Sequence, residues 1–315
     1  MSLEDDPMLS SLPRLLAWKD KGTLTVVDGV ELFSIATPGF GLATTNKKPH
    51  LLILHGYPTA SYDFHKIYNA LTAKFEVLCW DFAGFGFSQK VYRTIGQQVD
   101  LLEGLLEQNV TNNDNDLSLH ILSHDLGDTL VQEMIARGRN FSATIESIVM
   151  LNGGILPNEC QPTVVQKLML IPGINHVGAM LVQNLRVFSK SVSKVFGPHT
   201  QPTHEELREL HALALCRGGH AVAAHNIKYI TERQIFHDRW VTALQSYAKH
   251  RHLLFLNGPA DPVSGRHLAT AVQEQIPGAK VVFLDNDIGH WPQIEAPKAT
   301  IDGIMEFHKQ QLGTF

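Results

Sequence analysis

The sequence predicts an α/β protein: a mostly parallel sheet flanked by helices and interrupted by a helical insertion. Three observations carry that reading. Short apolar runs alternate with helical stretches up to Leu151, the alternation stops at about Gly154, and strands resume at His252. Thr23–Val27 and Glu31–Ala36 are β-rich runs around Asp28-Gly29, a hairpin signal. Leu51–Leu54 is a continuous apolar run that leads into His55-Gly56, as suits a strand buried on both faces. His65–Ala73 has helical spacing, Glu76–Trp80 reads as a strand, and Asp81–Ser88 is a glycine-punctuated loop. Ile95–Gln108 is an amphipathic helix that the polar cluster Thr111–Asp116 brings to an end. Leu117–Leu122 is a strand, Leu126–Arg137 a helix, and Ile145–Leu151 a strand. Such βαβαβ order implies parallel pairing with helices on both faces.

From Gly154 to Tyr247 the chain is helical and irregular, broken by Pro157, Pro162, Pro172, Pro198 and Pro202. A strand His252–Leu256, a helix Gly265–Gln275, a strand Lys280–Leu284 and a closing helix Pro297–Gln311 follow. The predicted division is therefore a core over 1–153, a helical cap over 154–247 and the rest of the core over 248–315.

Composition narrows the function. The 315 residues are 44% apolar and 18% charged, ordinary for a soluble chain that buries a core. The net charge of −5, without a long basic run, gives no sign of nucleic acid or anionic lipid as partner. The acidic start Met1–Asp6 does not read as a secretory signal, and no run approaches the roughly 18 apolar residues of a membrane span. Cys79, Cys160 and Cys216, odd in number and far apart, read as reduced thiols of a cytoplasmic protein. The 17 histidines are scattered without metal-ligand spacing, so neither a metal nor another cofactor is expected. Oligomeric state leaves no mark.

The chemistry is expected where strands turn into helices. A nucleophile elbow needs small residues two before and two after its reactive residue, because the chain approaches itself there. In Ser123-His124-Asp125-Leu126-Gly127, Asp125 meets the rule with Ser123 and Gly127. Ser123 does not, since Ile121 and Asp125 would take the tight positions. His55-Gly56-Tyr57-Pro58 follows the earlier strand, and its turn suits an oxyanion hole built from the Tyr57 and Leu126 N–H groups. A carboxylate nucleophile forms an ester that water must cleave with a base's help. His290, just past the last strand, stands where the base belongs, and Asp261 in Gly258-Pro259-Ala260-Asp261-Pro262 can orient it.

These motifs resemble the epoxide hydrolase and haloalkane dehalogenase branch of the α/β-hydrolases and, more closely, the hydrolases related to mesoderm-specific transcript protein. The likeness rests on His55-Gly56-Tyr57-Pro58-Thr59, Trp80-Asp81-Phe82, Ser123-His124-Asp125-Leu126-Gly127-Asp128, Asn152-Gly153-Gly154-Ile155, Phe196-Gly197-Pro198, Arg239-Trp240, Asp261-Pro262 and Gly289-His290. It implies an α/β-hydrolase fold with a cap, Asp125 as nucleophile, His290 as base and Asp261 as its orienter. It also implies cap tyrosines that donate to an opening epoxide; Tyr229 is the first candidate and Tyr247 the second. Dehalogenases of this branch carry a tryptophan after the nucleophile and often asparagine at the position of Tyr57. Leu126 and Tyr57 depart from both, which leaves Trp291 or Trp240 as the replacement halide donor. Asn152 stands where some relatives carry the triad carboxylate, a role that an amide cannot fill. The expected activity is hydrolysis of a small apolar substrate, an epoxide first, by water. The alternatives are haloalkane dehalogenation and a binding protein that has kept the fold without turnover.

Overall fold

Runs of four or five apolar residues form the interior strands because helices cover both faces of the sheet. The computed structural model describes residues 9–42, 48–110, 117–138, 141–173, 180 and 183–312. Its strands are β1 (Thr23–Val27), β2 (Val30–Ala36), β3 (His50–Leu54), β4 (Glu76–Trp80), β5 (Ser118–His124), β6 (Thr144–Leu151), β7 (His252–Asn257) and β8 (Lys280–Phe283). They form one 8-stranded sheet in the order β1-β2-β4-β3-β5-β6-β7-β8. The pairs β1·β2 and β2·β4 are antiparallel, and the remaining pairs are parallel. The hairpin turn forms at Asp28-Gly29, both at positive φ (47° and 76°), as the two-residue turn between twisted strands requires. The polar cluster Thr111–Asp116 lies outside the described residues.

Side-chain alternation divides the core in two. Leu52, Leu54, Leu78, Trp80, Ile121 and Met150 join one apolar cluster; Leu51, Ile53, Val77, Cys79, Leu122 and Leu151 join the other. Successive residues of a strand point to opposite faces, so one apolar run serves both clusters. Strand register then sets the site. Leu54 pairs with Ser123, Ser123 with Met150, and Leu151 with Leu256. The parallel strands therefore end together, and the loops at His55, Asp125, Asn152 and Gly258 leave from one edge, where open α/β sheets place their ligands.

The helices are α1 (Pro13–Lys19), α2 (His65–Thr72), α3 (Ile95–Asn109), α4 (Leu126–Arg137), α5 (Val164–Leu170), α6 (Leu185–Ser193), α7 (His204–Leu215), α8 (His220–Asn226), α9 (Tyr229–Ile235), α10 (His237–His250), α11 (Arg266–Gln275), α12 (Pro292–Glu295) and α13 (Pro297–Leu312). Capping boxes open three of them, with Thr94 and Gln97 on α3, Thr163 and Gln166 on α5, and Thr203 and Glu206 on α7. Between β6 and β7 the described chain is helical or irregular, without a strand. The boundary expected at Tyr247 falls inside α10, which packs on the core. Trp240 Nε1 donates to Glu133 of α4 at 2.8 Å, Arg239 pairs with the same carboxylate, and Val241, Leu244 and Ala248 join the first apolar cluster.

Candidate active site

β5 delivers Asp125 to a tight turn at φ 47° and ψ −103°, and α4 starts at the next residue. A non-glycine residue held there stores on the order of 1–3 kcal/mol of strain, which the flanking strand and helix must impose. Gly127 explains how the turn fits: a Cβ at that position would lie 2.4 Å from the Leu54 carbonyl oxygen. Gly56 meets a similar limit, since its Cβ would lie 2.6 Å from His124 Nδ1. Ser123 is fully buried on β5, with its Oγ 3.5 Å from the Val149 carbonyl oxygen.

The two carboxylate oxygens of Asp125 have different surroundings. Oδ2 accepts the Tyr57 N–H at 3.0 Å and has the Tyr229 hydroxyl at 3.4 Å. Oδ1 has Arg233 Nη2 at 3.4 Å. Leu126 opens α4, so its N–H has no partner within the helix. His55 steadies the turn before Tyr57: Nδ1 contacts the Gly56 carbonyl at 2.8 Å and Nε2 accepts the Phe82 N–H at 3.0 Å. Burial lowers its pKa to about 3, so this histidine stays neutral and its Nδ1 carries the proton.

The loop after β7 supplies Asp261. Its Oδ2 lies 2.7 Å from His290 Nδ1, 2.8 Å from the Ser264 hydroxyl and 3.1 Å from Asn152 Nδ2, and its Oδ1 accepts the Val263 N–H at 2.7 Å. Burial alone would raise its pKa, but the facing His290 and these donors hold it below the ordinary carboxylate value. For His290, burial disfavours the cation, yet the Asp261 charge and hydrogen bond, joined by the Asp125 charge, raise its pKa to about 9. Behind it, His124 Nε2 contacts the His290 carbonyl at 2.8 Å, and the two rings stand 4.8 Å apart.

Above Asp125 lies a cavity with walls from both layers. Tyr57, Phe85, Asp125, His290 and Trp291 come from the sheet edge, while Met169, Phe188, Val192, Leu215 and Ala223 come from the inserted helices. The lining is mainly apolar, as in sites for small organic ligands. Tyr229 is 3% exposed, and burial and the Asp125 charge raise its pKa well above the ordinary value, so the phenol keeps its proton. The Tyr57 ring lies 5.9 Å from the Tyr229 ring, and the Tyr57 hydroxyl meets the Met169 sulfur at 3.7 Å. Tyr247 does not join the site. Its hydroxyl donates to the carbonyl of Ile145, near the start of β6 and so at the opposite end of the sheet, at 3.4 Å. Trp291 lines the cavity with its ring, but its indole N–H donates to Asp63 Oδ2 at 3.2 Å. Burial raises the pKa of Asp63 to about 7 against the bonds from Thr59 and Trp291. The Trp240 N–H is taken by Glu133. Among the described residues no group of three His, Cys, Asp or Glu is placed to hold a metal ion.

Sequence reasoning missed Arg233. This guanidinium is 2% exposed, donates from Nε to Thr129 Oγ1 at 2.7 Å and from Nη2 to the Asp125 carbonyl at 2.9 Å, and lies 4.6 Å from the centre of the Tyr229 ring. Its position four residues after Tyr229 puts both on one face of α9, a signal present in the sequence. Asn152 was expected only as an absent carboxylate. It is instead a clamp that donates to Asp261 and the Gly258 carbonyl and accepts the Gly258 N–H at 2.8 Å.

A model of the alpha/beta hydrolase family matches residues 51–302, the span from β3 to the last helix. The chain belongs to that family. It is 34% identical over 309 residues to the mesoderm-specific transcript protein of Mus musculus, covering 96% of this chain and 89% of the relative. It is 30% identical over 299 residues to LipZ of Mycobacterium tuberculosis, named as a hydrolase, covering 93% of this chain and 97% of that one. Similar solved structures include the Cif epoxide hydrolase of Acinetobacter nosocomialis, with a TM-score of 0.71 at 16% identity over 96% of this chain and 97% of that chain. A loop variant of the haloalkane dehalogenase DbeA of Bradyrhizobium elkanii gives 0.70 at 18% identity over 93% and 98%. At such identities these likenesses speak for the fold alone, and function has to be argued from the site.

Proposed function

We propose that this hydrolase opens epoxides through an ester on Asp125. The observation that carries the reading is the division of labour between the two Asp125 oxygens. Oδ2 sits on the Tyr57 N–H, where a developing oxyanion needs a donor, while Oδ1, with Arg233 Nη2 at 3.4 Å, is the oxygen assigned to attack. In the first step Oδ1 bonds to a ring carbon, the carbon–oxygen bond of the epoxide breaks, and the leaving oxygen takes a hydrogen bond and then a proton. Tyr229, with Tyr57 beside it, supplies that donor. In the second step water attacks the ester carbonyl carbon and loses a proton to His290. Oδ2 carries the resulting charge against the Tyr57 and Leu126 N–H groups until the ester bond to Oδ1 breaks and the diol leaves. Alkylation removes the Asp125 charge, one of the forces that favour the His290 cation. His290 then passes its proton on to the Tyr229 phenolate left by the first step, which restores that donor and frees His290 to accept the proton of water.

Halide release is disfavoured by the same geometry. Leu126 has no side-chain donor, and the indole N–H groups of Trp291 and Trp240 are engaged with Asp63 and Glu133. The test is a parallel panel of epoxides, bromoalkanes and activated esters on the wild type and His290→Gln, read by product formation and intact mass. The expected result is diol from epoxides and, in His290→Gln, an added mass of one substrate located on Asp125. Bromide release matching the best epoxide, or an acyl adduct on Ser123, would overturn the reading.

A further inference from the structure

The net charge of −5 hides an uneven distribution. From Cys160 to Thr200 the sequence holds four Lys or Arg residues and no Asp or Glu. Three of the four, Arg186, Lys190 and Lys194, recur every fourth residue along α6 and its C-terminal cap, and all three are exposed. Phe188 and Val192 on the other side of the helix are buried, so α6 turns its apolar side inward and its cations outward. Large apolar side chains surface on the same stretch of chain: Val164 is 82% exposed and Met180 63%. Between α5 and α6 runs a groove lined by Val164, Val187, Pro262 and the three cations. Thr163, Val165, Ser191 and Val195 line both this groove and the cavity above Asp125, so the two helices form the wall between them.

We propose that the α5–α6 face docks on an anionic lipid surface. A row of cations draws the face to negatively charged headgroups, and apolar side chains standing among them enter the boundary between headgroups and acyl chains. Neither a purely basic nor a purely apolar patch would combine the two. No helix among the described residues is long and apolar enough to cross a membrane, so the association is peripheral. It also sets one wall of the cavity against the lipid, where an apolar substrate of the proposed reaction would be concentrated.

The docking is tested without turnover, so its failure and that of the epoxide reading are distinct results. The full chain is sedimented with phosphatidylcholine vesicles with and without phosphatidylserine, at low and high salt. Binding is expected to need phosphatidylserine and to weaken with salt. Each cation removed near such a surface lowers affinity about fivefold, so R186Q/K190Q/K194Q should lose about a hundredfold. V164S should also weaken binding while leaving the salt dependence intact. Thermal melting of both variants checks that the fold survives, as expected for exposed positions. No partition onto vesicles, equal binding to neutral vesicles, or unchanged binding by the folded triple variant would each overturn the proposal. So would binding to RNA or an acidic polypeptide with none to vesicles.

Discussion

Asp125 and Asp261 are buried carboxylates at the same edge of one sheet, 4% and 2% exposed, yet they are held in opposite ways. Asp261 is surrounded by a histidine, a hydroxyl, an amide and a backbone N–H, all within 3.1 Å. Asp125 has one backbone N–H at 3.0 Å, and its hydroxyl and guanidinium contacts stretch to 3.4 Å. A carboxylate whose lone pairs are all engaged serves as a fixed charge. One that lines a cavity and is held by longer contacts can form a bond. Burial does not distinguish the two residues; the completeness of their hydrogen bonding does.

The comparison breaks most visibly at the proposed nucleophile. Asp125→Ala should lower turnover of the best substrate by about a million-fold, while Ser123→Ala should retain most activity. Full activity in Asp125→Ala would end the assignment. Asp261→Asn keeps the size of the residue and removes the charge that fixes the His290 tautomer. Its expected loss is about ten-thousandfold, with the ester adduct accumulating in single-turnover mass spectra, and an unchanged hydrolysis rate would remove Asp261 from its role. On the Asp125 side, Tyr229→Phe should cost about a hundredfold in the alkylation step, the usual price of one donor at a developing charge. Tyr247→Phe, at the far end of the sheet, should leave that step unaltered.

The smallest effect concerns pH. A histidine whose folded pKa is raised contributes stability that is complete below its ordinary value of about 6.5 and is lost as pH rises through the folded value. For His290 that value is about 9. The melting temperature of the wild type should therefore fall relative to His290→Gln between about pH 7 and about pH 10. Parallel curves over that range would mean that the Asp261 pair adds no linked stability.

Much of this architecture was legible because local chemistry determines it. Apolar runs of strand length, the Asp28-Gly29 turn and the Leu126–Arg137 periodicity all formed where expected. The elbow register was legible for a steric reason, since only a residue without a side chain fits at Gly127 against Leu54. The partner of α10 was not legible, because α10 is amphipathic like its neighbours and only packing sets it against α4. Likewise, a sequence names a tyrosine but not the surface that it meets. Tyr229 and Tyr247 were the first and second candidates, and packing put one beside Asp125 and the other beside Ile145.

The sequence by itself determined which residues sit at strand ends, because strand length and turn chemistry are short-range properties. Only the tertiary structure decided the strand order that gathers those ends on one edge, and which donor groups were already engaged. Trp291 faces the cavity, yet its N–H is held by Asp63, more than two hundred residues earlier in the chain. Arg233 reaches under Asp125 from the inserted helices. Hydrogen bonds of such long sequence separation depend on how whole elements pack, and no local pattern records them.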